Sequence, residues 1–180
     1  MSSPYVTLST RIAYENPWTR VREDRIRRPD GSDGIYGVVE RSDFAVIMPV
    51  QDGMVTLVEQ YRYPVQVRLW EFPMGMWEQA PGTDPADLAA GELREETGLI
   101  AGRMVYGGRL FQGPGYCTQV GHVFLASDLT QGPMAREVTE QDMQCQAFAL
   151  ARFEAMLRAG EILDGMTIAA FGLLRAKGLV

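Results

Sequence analysis

The first apolar signal is a short, nearly continuous run, "DFAVIMPV" (43–50), followed by "QDG" and then by the alternating stretch "MVTLVEQYRYP" (54–64). An unbroken apolar run suits a strand covered on both faces, and Asp-Gly between two such runs is a hairpin turn signal. "RLWEF" (68–72) is a further short strand that stops at Pro73. Upstream, "RRPDGSDG" (27–34) gathers turn formers between two extended stretches and reads as a hairpin loop.

The first helical pattern is "DPADLAAGELREETG" (84–98). Asp84 suits the N-cap, Pro85 the first helical position and Gly98 the C-terminal stop. "RMVYGGRLF" (103–111) and "QVGHVFLA" (119–126) are strand-like, as is "CQAFAL" (145–150). "ARFEAMLRAGEI" (151–162) and "DGMTIAAFGLLRAKG" (164–178) read as helices with apolar faces. Strands on both sides of a central helix, with helices at the end, predict a mixed α/β layered domain.

On the central helix, at about 100° per residue, Glu95 and Glu96 lie about 60° and 40° to either side of Glu92. Ala86, Ala89, Ala90 and Leu93 fill the adjoining arc as a packed face. Arg94 points away and cannot neutralise the acids. Two readings stand: a solvated acidic face, or a Mg²⁺ or Mn²⁺ site, since hard divalent cations take carboxylate oxygens and share a substrate phosphate.

Composition narrows the field. The chain has 180 residues, 46% hydrophobic and 22% charged, which suits a soluble globular protein with one real core. Its net charge of −6 disfavours nonspecific nucleic-acid binding and an anionic membrane surface, but not phosphate compounds bound through cations. No leader-like or membrane-spanning run stands out, and a cytoplasmic location is expected. Cys117 and Cys145 are the two cysteines and suggest a reducing compartment. His122, the one histidine, sits in an apolar alternation and reads as a packed strand residue.

"WEFPMG" (70–75) followed by "GELREETGL" (91–99) resembles the Nudix hydrolase family. The family box runs glycine, five residues, glutamate, seven residues, then Arg-Glu-aliphatic-any-Glu-Glu-any-Gly-aliphatic. Gly75 matches its opening, and Glu92, Leu93, Glu95, Glu96, Gly98 and Leu99 match its close. "VEQYRYPVQVRLWEFP" (58–73) and Pro114, fifteen residues beyond Leu99, resemble the ADP-ribose pyrophosphatase branch, as does "RAGEILDGMTIAAF" (158–171). The chain departs where the first box glutamate falls at Thr83 and the box arginine at Gly91, and two extra residues separate Gly75 from the helix. A glycine inside a helix costs about 1 kcal/mol against alanine, so Gly91 calls for a packing reason.

The resemblance implies an α/β (α+β) Nudix fold: a mixed sheet between helices, with an antiparallel β extension over residues 1–40 that serves dimerisation and a hydrolase domain over 41–180. It implies hydrolysis of a nucleoside diphosphate sugar, ADP-ribose to AMP and ribose 5-phosphate, by a homodimer with Mg²⁺ or Mn²⁺. The alternative is a Nudix-fold nucleotide sensor that does not cleave. Carried over, Glu92 and Glu96 are the principal metal ligands, Glu95 assists, and the backbone carbonyl of Met74 joins them. Glu140, then Glu137, then Asp142 are the candidate general bases in "GPMAREVTEQDMQ" (132–144). Arg62 is a candidate phosphate grip, with a strand-end salt bridge the competing role, and Glu71 lines the site or fixes the Met74 loop. Trp18 is a candidate base-stacking residue, alternatively packed in a core or dimer interface, and "GPGY" around Pro114 walls the pocket.

Overall fold

A computed structural model describes residues 3–77, 82–133 and 142–180. The chain divides into two compact units, the first made of residues up to Ser42 with Phe111–Val120, the second of Asp43–Leu110 with Gly121–Val180.

In the first unit β1 (Val6–Glu15), β2 (Arg20–Arg27) and β3 (Asp33–Glu40) form an antiparallel meander. The turns follow from local chemistry. Asn16 Oδ1 accepts the amides of Trp18 at 2.9 Å and Thr19 at 2.8 Å, and the 28–32 loop closes from Arg28 N–H to Ser32 O at 2.9 Å. Gly31 there has φ 84°, a left-handed conformation that glycine adopts without a Cβ penalty. The antiparallel β extension expected at the N-terminus is present, and its first strand alternates Val6, Leu8, Ile12 and Tyr14 with serines, threonines and an arginine. That alternation supplies no buried core here: every residue of β1 is exposed.

The second unit holds a sheet in the order β10–β5–β4–β9–β8, built from β4 (Phe44–Gln51), β5 (Met54–Arg62), β8 (Leu99–Phe111), β9 (Val120–Gln131) and β10 (Gln144–Ala149). β6 (Val67–Glu71) adds to β5, and the two-residue β7 (Met74–Gly75) adds to β4. Three helices are described: α1 (Pro85–Thr97), α2 (Leu150–Ala159) and α3 (Gly165–Ala176). The Asp52-Gly53 turn joins β4 to β5 with both residues at positive φ, as the expected hairpin requires. Yet β4 and β5 pair only at Val50–Val55 and Gln51–Met54. Beyond the turn β4 departs to pair in parallel with β9, from Phe44–Gly121 to Pro49–Ala126.

That central position explains the unbroken apolar run. Ala45 and Ile47 face α1, packing with Leu88, Ala89, Leu93 and Phe124. Val46 and Met48 face the other way, toward Phe153 of α2 and Ala170 and Leu174 of α3. A mixed sheet between helices results, as expected. Among the described residues no helix is long and apolar enough to cross a membrane.

Candidate active site

α1 starts and stops where its sequence dictates. Asp84 accepts the Ala86 amide at 2.8 Å, Pro85 opens the helix, and Gly98 closes it at φ 73° with its N–H to Arg94 O. The face it buries differs from the one expected. Ala86 and Ala90 are exposed, whereas Leu88, Ala89, Glu92, Leu93, Glu96 and Thr97 are buried. The packed face and the acidic face therefore overlap. Glu92 is 5% exposed and Glu96 fully buried, so a simply solvated acidic face does not describe them. Glu95 is half-buried and Arg94 exposed.

Opposite these acids runs the segment that carries β7. β7 is held by β4 through the pairs Ala45–Gly75 and Val46–Met74. The Met74 amide donates to Glu96 Oε2 at 3.0 Å. Gly75 lies against the Glu92 carboxylate so closely that a Cβ there would collide with Oε2 and stand 2.7 Å from Cδ. A strand of minimal bulk thus passes the two buried acids, and glycine is the residue that leaves them room.

A second group of charges lies nearby. Arg62, at the end of β5, donates from Nε to Glu71 Oε1 at 2.9 Å and Oε2 at 3.1 Å, and its Nη2 also contacts Oε2. The salt bridge expected as the competing role of Arg62 is therefore present. Burial pushes the Glu71 carboxyl above the usual carboxylate range, with Asp164 adding to it and Arg62 opposing. Burial pulls on Arg62 in the sense of losing its proton, but Glu71, Glu96 and Asp164 together outweigh it and hold the guanidinium more firmly charged. Both groups are shifted upward, Glu71 because it is wholly buried and Arg62 because the acids around it outweigh its burial. Asp164 also caps α3 by accepting the Thr167 amide at 2.6 Å, and Thr167 Oγ1 accepts the Phe72 amide at 2.9 Å. α3 is thereby tied to the strand end that leads into Met74.

The remaining candidates are distributed as follows. Trp18 and Pro114 lie in the first unit, both exposed. Trp18 borders a cleft of about 340 Å³ with Arg20, Glu40 and Arg41, and its carbonyl accepts from Arg41 Nε at 3.4 Å. Glu137 and Glu140 lie outside the described residues. Asp142 is engaged by Arg68, which donates from Nη1 to Oδ2 at 2.8 Å while its Nε binds Glu59 at 2.7 Å. His122 is a packed strand residue on β9, with Tyr106 Oη 3.2 Å from Nδ1.

The profile of the NUDIX domain matches residues 40–165. The chain belongs to the Nudix family, and with that to a family of pyrophosphohydrolases. The N-terminal domain of nucleoside diphosphate sugar hydrolases matches residues 6–39. The chain is 32% identical to an ADP-ribose pyrophosphatase of Mycobacterium tuberculosis (strain ATCC 25618 / H37Rv), over 92% of this chain and 80% of that protein. An ADP-ribose pyrophosphatase of Bacillus subtilis (strain 168) is 27% identical over 84% of this chain and 82% of its own length. Among solved structures, an ADP compounds hydrolase shares the fold with a TM-score of 0.85, covering 99% of this chain and 98% of that one at 19% identity.

Nudix enzymes use divalent metal ions, and the residues present fit one. Two buried carboxylates one helical turn apart, passed by a main-chain strand without side-chain bulk, form an oxygen-only donor set suited to a hard cation. Among the described residues no three Asp, Glu, His or Cys side chains form a closed cage. Mg²⁺ rarely uses one, since it keeps water and takes substrate phosphate oxygens. Sequence reasoning missed Asp164, Thr167 and Trp77, whose indole lies against the backbone of Gly91. Trp77 alone had a signal, because Gly91, the glycine inside the helix, required a neighbour.

Proposed function

We propose that the chain hydrolyses the pyrophosphate bond of a nucleoside diphosphate sugar, with ADP-ribose, cleaved to AMP and ribose 5-phosphate, as its first substrate. The observation that carries this reading is the burial of Glu92 and Glu96 against Met74–Gly75. Buried carboxylate oxygens passed by a bare backbone suit a hard divalent cation, and a pyrophosphate hydrolase needs that cation. The N-terminal match to nucleoside diphosphate sugar hydrolases and the two ADP-ribose pyrophosphatase relatives support the substrate class.

Glu92 and Glu96, with the Met74 carbonyl and assistance from Glu95, would hold Mg²⁺, with Mn²⁺ as an alternative. Bound there, the ion would offset phosphate charge and lower the pKa of an attacking water. The Met74 amide fixes the direction of Glu96, so that its carboxylate does not have to find its orientation when substrate arrives. Arg62 sets one cation beside Glu71 and Glu96; its guanidinium also offers donors to a phosphate. Glu140, with Glu137 second, is proposed as the general base. Trp18 offers an exposed indole for a nucleobase, and Pro114 a rigid wall. The three-stranded sheet of residues 6–40 is proposed to pair two copies of the chain.

Incubation of the purified protein with ADP-ribose, other nucleotide sugars and dinucleotides, in Mg²⁺, Mn²⁺ or chelator, tests this reading. Metal-dependent release of AMP from ADP-ribose is expected. No phosphate-containing product across the panel overturns hydrolysis, and tight nucleotide binding without turnover identifies a sensor instead.

A further inference from the structure

Gly91 stands where the Nudix box has arginine, and the structure shows what takes that space. A Cβ built on Gly91 would lie 2.7 Å from Cη2 and 3.2 Å from Cε2 of Trp77, and closer still to Cζ2. The indole therefore rests on the bare backbone of α1, and any side chain at position 91 displaces it. Trp77 also packs against the buried cluster of Ala45, Leu88, Ala89 and Leu93, so the ring is anchored on two sides.

This contact belongs to a series. The Met74 amide binds Glu96, Gly75 touches Glu92, and Trp77 covers Gly91. One four-residue segment thus runs along α1 toward its N-terminus, meeting the helix at three heights. The first two contacts are with the carboxylates themselves. The third lies one residue before Glu92 and is the only one of the three made by a bulky, rigid group. It fixes how near the segment can approach the helix. Since Gly75 leaves no slack beside Glu92, a change in that approach is transmitted directly to the carboxylate.

We infer that Trp77 is a positioning residue of this site: its indole, seated on Gly91, sets the spacing between Met74–Gly75 and the Glu92–Glu96 pair, the task that a charged side chain at position 91 would otherwise serve. The inference rests on the proposed metal role of Glu92 and Glu96. Gly91 is then no defect of the motif, because its missing side chain is the seat of the ring. The helix penalty of a glycine is offset by burial of an aromatic face.

The experiment combines Mn²⁺ uptake followed by electron paramagnetic resonance without substrate, kcat and KM on ADP-ribose, and melting in chelator. Supporting groups around metal ligands are worth about 10- to 100-fold in affinity or activity. Trp77→Ala is expected to weaken Mn²⁺ uptake about tenfold and to lower kcat comparably, with KM little changed, while Trp77→Phe retains most of both. Gly91→Ala should match Trp77→Ala, and Gly91→Ala with Trp77→Leu should recover part of the uptake, because the smaller side chain yields room to the methyl. If Trp77→Ala does not fold, this size exchange carries the test alone. Variants that melt lower but keep wild-type Mn²⁺ uptake and kcat overturn the inference and leave the functional reading intact. A wild-type protein that takes up no Mn²⁺ but releases AMP overturns the inference alone, and one that does neither overturns both.

Discussion

Arg62 and Glu71 form an ion pair whose members live in different media: Glu71 is fully buried, and 37% of the Arg62 side chain is exposed. Removing either one is therefore not equivalent. Arg62→Met strands a buried carboxylate, which typically costs about 3–5 kcal/mol. Glu71→Gln leaves a guanidinium that reaches water, and a smaller loss of about 1.5–3 kcal/mol is expected, near that of one charged hydrogen bond. The order of the two melting temperatures checks the asymmetry.

The same pair has a pH signature. The folded-state pKa of Glu71 is raised by burial above its ordinary value of 4.5. Its contribution to stability is therefore fully present below that ordinary value and is lost as pH rises through the raised one. Without Arg62 the rise is larger, so Arg62→Met should fall further behind the wild type as pH increases from about 5 to about 7. Thermal melts across this window measure the gap. A gap that narrows toward neutrality would show that Glu71 ionises without difficulty in the absence of arginine.

Gly75→Ala places a methyl group against the Glu92 carboxylate. The neighbour struck is the far end of a flexible side chain, so the fold should survive with stability within about 1 kcal/mol. Displacing the carboxylate should reduce kcat about tenfold or more, as loss of ligand positioning does. Melting in chelator together with initial rates in Mg²⁺ separates the two effects. Equal losses in both would mean that the glycine serves the backbone rather than Glu92.

Glu96→Gln removes a charge from a fully buried position while keeping an oxygen for the Met74 amide. In chelator the variant should melt close to the wild-type temperature, because the amide oxygen keeps the Met74 contact. Added Mg²⁺ should raise the melting temperature of the wild type and not that of the variant, since a ligand bound only by the folded state stabilises it. Turnover should fall by about a hundredfold or more. A variant that keeps near-normal activity removes Glu96 from the ligand set.

How legible this was in the sequence differed from element to element. Asp84, Pro85 and Gly98 act within one helical turn of themselves, and they placed both ends of α1 correctly. The Asp52-Gly53 turn was equally local. The parallel pairing of β4 with β9 was not legible, because it joins segments separated by α1 and β8 and leaves no mark beyond the apolar run. The burial of Glu92 and Glu96 was misjudged for a related reason: helical geometry gives the angle between side chains, but β4 and β7 decide which angle is inside. The glutamates were found by a motif, and their environment was not. Gly91 shows the converse, since a costly residue in a helix signalled a partner that only the folded chain identifies as Trp77.

β1 presents Val6 and Tyr14 at 60% and 57% exposure, with Leu8 and Ile12 also exposed, and β3 adds Ile35. A strand that leaves all of its large apolar side chains in the exposed class is an unusual surface for an isolated chain. Pairing of two copies through this sheet would cover it, and the wild type is expected to sediment as a dimer at micromolar concentration. Leu8→Glu combined with Ile12→Glu should yield monomers. Both side chains are exposed in the single chain, so the melting temperature of the monomeric variant should fall only by the share owed to association. Sedimentation velocity reads the first outcome and calorimetry over a concentration series the second. A wild type that stays monomeric at high concentration would assign the apolar strand to another partner and leave the Glu92–Glu96 site unaffected.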